Sequence, residues 1–151
     1  MLAPSLLHLH GLLGEWRGSG NFVGNRVELE LRFTAACGGR AVDVAIRALP
    51  VTAPLSVVEG YALLGLQPDG RLGCAMAHPA FGALVMAETP DDPGVVALEG
   101  RLPDNSLLIL TFSPQNDALQ ISSSFRQGYV GSPRSTRILG SLQRLRAGRM
   151  P

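Results

Sequence analysis

Three features of this 151-residue chain predict an all-β fold of about ten short antiparallel strands closed as an up-and-down barrel. Apolar runs of strand length recur from end to end, separated by turns rich in the 18 glycines and 11 prolines. In Val27-Glu28-Leu29-Glu30-Leu31-Arg32-Phe33 the apolar side chains alternate strictly with charged ones, a sorting that a strand makes and a helix does not. Upstream, Gly14-Glu15-Trp16-Arg17-Gly18-Ser19-Gly20 sets Trp16, Gly18, Gly20 and Phe22 two residues apart, on one face of an extended chain. A large anchor followed by two residues without side chains suits a strand that plugs one end of a curved sheet and then bends, as closure requires.

The elements follow in order. Leu6, Leu7, Leu9, Leu12 and Leu13 have the spacing of one or two helical turns, ended by Gly14. The Trp16 strand runs from about Glu15 to Phe22, and the alternating strand covers Val27 to Phe33. Gly38-Gly39 reverses the chain into a third strand carrying Val42, Val44 and Ile46. After a loop bracketed by Pro50 and Pro54, Val57 to Leu66 forms the fourth. Pro68-Asp69-Gly70 is a turn in which proline presets φ and glycine takes the left-handed position. Strands at Leu72–Ala77, Phe81–Glu88, Val95–Arg101, Ser106–Ser113, Ala118–Arg126 and Arg134–Leu145 complete the set, with turn clusters at Pro90–Gly94, Pro103-Asp104-Asn105, Pro114–Asp117 and Gly128–Pro133. The tail after Leu145 is expected to fray. The length fits a single domain over residues 1–151.

Composition narrows the class. Apolar residues make up 46% and charged residues 17%, which excludes a disordered chain. All 13 basic residues are arginine, and six of them follow Ala118 where no acid occurs. That tail lacks the interleaved aromatics and basic density of a nucleic-acid surface, so no nucleic-acid partner is expected. No apolar run reaches the length of a membrane-spanning helix. Residues 1–13 lack the basic start and small-residue cleavage site of a secretory leader. Cys37 and Cys74 make no disulfide framework, and both are expected to be free thiols in a cytoplasmic protein.

The Gly14–Gly20 segment resembles the opening strand of calycin-type barrels: lipocalins, fatty-acid-binding proteins and especially nitrobindin-like proteins, which begin Gly-x-Trp-x-Gly-x-Gly. The resemblance implies a short N-terminal helix closing one mouth, and a final-strand basic side chain packed on the tryptophan. Arg137, or else Arg134, is the candidate, giving a structural cation–π pair with Trp16. It also implies haem held by a histidine from the C-terminal part of the barrel. Nothing after His78 is a histidine, so that ligand does not carry over, and only His78 could ligate, from a different strand. No cofactor is therefore expected, with haem kept as the alternative.

No catalytic signature appears. His8 and His10 are two apart, a poor chelating arrangement on a helix, and no metal site is expected. No Gly-x-Ser-x-Gly elbow occurs, and the Gly14–Gly20 glycines precede no helix that could receive a pyrophosphate. Asp91 and Asp92 read as solvated turn residues, and one or two of Ser122, Ser123 and Ser124 face the lumen or water. Cys74, Met76 and His78 share one parity; Glu59 and Tyr61 share one on the neighbouring strand. Pointing inward together, these five would line a pocket wall; otherwise Glu59 and His78 sit at rims, with Cys74 and Met76 as ordinary core. The favoured pattern sends Val27, Leu29, Leu31, Val42, Val44, Tyr61, Leu63, Cys74, Met76, Val85, Ile109 and Ile121 inward, with small Ala45, Ala83 and Ala97 leaving room. The expected function is binding of a small apolar or amphipathic molecule in the lumen, without catalysis. A structural or interaction barrel filled by Phe22, Leu29, Phe33, Met76, Phe81 and Phe112 is the other class, and a homodimer is left open.

Overall fold

The computed structural model describes residues 4–22, 25–51, 57–79, 82–89, 94–115, 117–126 and 134–145. A short helix, α1 (Pro4–His10), precedes ten strands: β1 (Gly14–Phe22), β2 (Asn25–Ala36), β3 (Ala41–Pro50), β4 (Val58–Leu66), β5 (Leu72–His78), β6 (Gly82–Glu88), β7 (Val96–Arg101), β8 (Leu107–Gln115), β9 (Ala118–Arg126) and β10 (Arg134–Arg144). Each strand pairs antiparallel with its sequence neighbours, and β1 pairs with β10, so the sheet closes as an up-and-down barrel. The β1–β10 join means that neither end strand is left as a terminal edge. Expected segments at Pro54, Pro90–Pro93 and Gly128–Pro133, the tail beyond Leu145, and the side chains of Phe22, Phe81 and Arg137 lie outside the described residues.

One end of the barrel is plugged. Leu6, Leu9 and Leu12, three residues apart, are all buried, while Leu7 and His8 stay exposed. The chain leaves α1 through Gly14, whose φ of +120° suits glycine, and enters β1. Trp16 is 1% exposed and donates its indole N–H to the Leu12 carbonyl at 2.8 Å. Phe33 and Phe112, both buried, meet edge to face with ring centroids 5.6 Å apart. Gly18 and Gly20 follow on the inner face because β10 leaves no room: a Cβ at either would run into the backbone at Ser141 or Leu139.

The arginine over Trp16 is Arg144, not Arg137. Its guanidinium carbon lies 4.5 Å from the ring centroid, and its Nη1 and Nη2 donate to the Leu13 and Gly11 carbonyls at 2.7 and 2.5 Å. Register explains the correction: Trp16 pairs with Arg144, whereas Ile138 pairs with Phe22 at the far end of β1. Arg137 itself is the extra residue of a β-bulge between Thr136 and Ile138.

Candidate ligand-binding site

The end opposite α1 is formed by the close of β5, the start of β6, the end of β7 and the start of β8. On its inner wall the β5 residues Cys74, Met76 and His78 point inward and are buried. Glu59 and Tyr61 do not join them; both are exposed on the outside of β4. The five-residue connection from Gln67 to Arg71 sets this, since it pairs Leu66 with Leu72, Leu64 with Cys74 and Ala62 with Met76. Directly opposed residues share a face, so an inward Cys74 forces Leu64 and Ala62 inward and Tyr61 and Leu63 outward. The same rule sends Leu84 and Met86 inward on β6 and leaves Val85 exposed. Ala45 and Ala83 face outward as well. Ala97 and Ile109 are buried but stand on the outward row, opposite Thr111 and Glu99. Val27, Leu29, Leu31, Val42, Val44 and Ile121 lie in the core as expected.

His78 is 7% exposed, and burial lowers its imidazole pKa, so the ring is neutral around pH 7. Gly60 is the reason the ring fits, because a Cβ there would stand 2.6 Å from His78 Cδ2. Burial pushes the Cys74 thiol up to about 11, keeping it protonated. Across the lumen, Ser123 is 1% exposed on the inner row of β9, flanked by Leu119 and Ile121, and its Oγ has no hydrogen-bond partner among the described residues. Ser123 was one of three indistinguishable serines in the sequence. The pairing of β9 with β8 separates them, since Ser122 bonds Thr111 on the outer side and Ser123 opposes inward Leu110.

The wall has one weak seam. Strands β6 and β7 pair only at Ala87–Glu99 and Glu88–Leu98, next to the plugged end, and then diverge. A cleft of about 620 Å³ opens between them, lined by Gly82 to Val85 and Arg101 to Pro103. Inner Leu84 and outer Val85 both line it, and His78 pairs in register with its first residue, Gly82. A second depression of about 330 Å³ lies on the outer surface of β1–β4. Its charges already satisfy one another: Arg17–Glu30 at 3.6 Å, Glu30–Arg47 at 3.3 Å, Arg47–Glu59 at 3.1 Å and Arg32–Glu15 at 3.0 Å.

The C-terminal histidine that the nitrobindin resemblance implies for haem has no counterpart after His78 in this sequence. The inner rows of β9 and β10 present Leu119, Ile121, Ser123 and Leu142, none of them a strong iron ligand, and His78 stands on β5 instead. Among the described residues, no cluster of His, Cys, Asp or Glu could hold a metal ion.

The chain is similar to the crystal structure of Rv2717c from M. tuberculosis, with a TM-score of 0.68 and 23% identity over 97% of this chain and 100% of that one. The likeness extends the barrel comparison to nearly the whole chain and concerns the fold. No family model matches the chain, and no curated protein does. No helix among the described residues is long and apolar enough to cross a membrane.

Proposed function

We propose that the barrel takes up a small, uncharged, mostly apolar or amphipathic molecule through the β6–β7 cleft and holds it in the unplugged half of the lumen, without converting it. The cleft is the observation that carries this reading, because it is a concavity at the unplugged end that reaches the inner residue Leu84 and lies beside His78. A mostly apolar concavity with a few convergent polar groups is the usual form of a small-molecule site. Here those groups are neutral: the His78 imidazole, the Cys74 thiol and the Ser123 hydroxyl. A buried hydroxyl without a partner costs about 1–3 kcal/mol, and a ligand's polar end that meets Ser123 recovers part of it. The reading places the protein beside calycin-type carriers, in keeping with its Trp16 strand.

Titration with Nile red, a neutral apolar dye, tests the proposal. Its emission should rise and shift to the blue, and a competing long-chain alcohol should reverse both changes. Leu84→Trp, which fills the cleft, should slow or abolish uptake while leaving the circular dichroism unchanged. No displaceable binding would refute the carrier reading in favour of a filled barrel. Hemin titration should give no histidine-ligated Soret band. A tight one-to-one spectrum abolished by His78→Ala would replace the proposal with haem binding.

A further inference from the structure

Three buried side-chain polar atoms lack a hydrogen-bond partner among the described residues: His10 Nε2, Arg126 Nε and Ser123 Oγ. His10 and Arg126 are partly exposed and end their elements, whereas Ser123 is 1% exposed in the middle of β9. Its surroundings offer nothing polar across the ladder. Ser123 stands opposite Leu110 on β8 and Ile138 on β10, with Ile121 next on its own inward row. Native folds pair nearly all such hydroxyls, and one left unpaired in apolar surroundings is costly where an alanine would not be.

Two further observations bear on what could meet it. The ladder is interrupted at this height, since the β10 bulge falls between Thr136 and Ile138, the partners of Ser124 and Ser123. Bulges gather beside sites. Charge is absent nearby. Among the described residues, the charges on inward rows are Glu88, which accepts the Leu72 N–H at 3.1 Å, and Arg144 over Trp16, both at the plugged end. Toward the unplugged mouth the inward residues beside Ser123 are Leu108 and Phe125, a directly opposed apolar pair. The end of β9 at Arg126 is about 10 Å along the strand from Ser123.

We infer that the molecule held by this barrel is neutral and carries one oxygen function, an alcohol or a ketone, which it places against Ser123, with its apolar remainder along Leu108 and Phe125. The inference rests on the carrier reading and narrows its ligand class. A serine hydroxyl donates to a carbonyl and accepts from an alcohol, so it serves either group. A carboxylate is excluded: buried in the unplugged half it would meet no counter-charge, and a lone buried anion is far costlier than a lone hydroxyl. Fatty acids are therefore outside the class, and the corresponding alcohols and ketones are inside it.

Displacement of Nile red from the full chain at neutral pH decides it, with phenylbutanol, benzylacetone, butylbenzene and phenylbutyrate as competitors. All four carry a phenyl ring on a short chain and differ in the end group. The alcohol and the ketone should displace the dye, and phenylbutyrate should not. Ser123→Ala should weaken displacement by the alcohol and the ketone about tenfold and leave butylbenzene unchanged. Without ligand, Ser123→Ala should melt no lower than the wild type, because the hydroxyl it removes has no partner to lose. Equal effects of Ser123→Ala on alcohol and hydrocarbon would overturn the inference. So would displacement by phenylbutyrate, or a lower melting temperature for ligand-free Ser123→Ala. Each of those results leaves dye uptake, and with it the carrier reading, standing. Absence of dye uptake in the wild type removes that reading and this inference together.

Discussion

Removing Trp16 tests whether the plug at the α1 end holds the barrel together. Three contributions are lost in Trp16→Ala. Truncating a large buried aromatic costs about 3–5 kcal/mol through lost burial and the cavity left behind. The bond from the indole N–H to the Leu12 carbonyl, 2.8 Å long, contributes about 1 kcal/mol of its own. The Arg144 guanidinium, 4.5 Å from the ring, adds about 0.5–1 kcal/mol at a solvent-facing site. Because these overlap, a total near 5 kcal/mol is expected, which lowers the melting temperature by about 10–20 °C in a chain of this size. Trp16→Phe keeps most of the burial and loses the hydrogen bond, so about 2 kcal/mol is expected. Urea unfolding followed by far-ultraviolet circular dichroism measures both, since the only tryptophan is gone. A cycle combining Trp16→Phe with Arg144→Gln should show coupling of about 0.5–1 kcal/mol. A loss below about 1 kcal/mol for Trp16→Ala, or equal losses for the alanine and phenylalanine variants, would refute the reasoning.

Gly18→Ala should destabilise by about 3 kcal/mol, because the added carbon meets the Ser141 backbone, while Gly70→Ala, with open space and only its positive φ to strain, should cost about 1 kcal/mol; equal losses in chemical denaturation would contradict the close β1–β10 approach. The Cys74 thiol, held near 11 when folded against 9.0 ordinarily, keeps its proton longer in the folded state. Stability should therefore fall by about 2 kcal/mol as pH rises from 9 towards 11, and Cys74→Ala should flatten that decline. For His78 the sign is reversed: its lowered pKa means the unfolded chain binds a proton first, so stability present above pH 6.5 is lost as pH falls towards the folded value. His78→Gln should remove that acid-side slope in melting temperatures taken between neutral and mildly acidic pH. A thiol reagent should modify exposed Cys37 quickly and buried Cys74 only on unfolding.

The barrel could be read from the sequence because its signals are local. Turn chemistry at Pro68-Asp69-Gly70, strict alternation in β2 and the glycine spacing of β1 each act within a few residues. The lumen was harder to read. Runs such as Tyr61-Ala62-Leu63-Leu64 are apolar at every position, so periodicity cannot choose their inner face. The choice comes from register, and the connection between β4 and β5 fixes that register by its length. An inward Cys74 was therefore incompatible with an inward Tyr61, a constraint available from the turn but not from either strand alone. Arg144 escaped for a similar reason: three arginines lie on β10, and the one that meets Trp16 is fixed by where β1 begins. Ser123 could be found only by counting across from β8.

The unequal seams of the ring make it a collar with a clasp. The join between first and last strands runs along β1 from Trp16 to Phe22 and is pressed shut at its two glycines. The loosest join lies mid-sequence, where β6 and β7 hold at one end and part at the other. Thermal breathing should concentrate there, since opening that seam breaks few ladder bonds while the remaining joins keep the cylinder round. The hinge of this breathing is the α1 end, whose leucines and tryptophan stay packed as the far mouth widens. Widening of this kind leaves every strand of the cylinder folded.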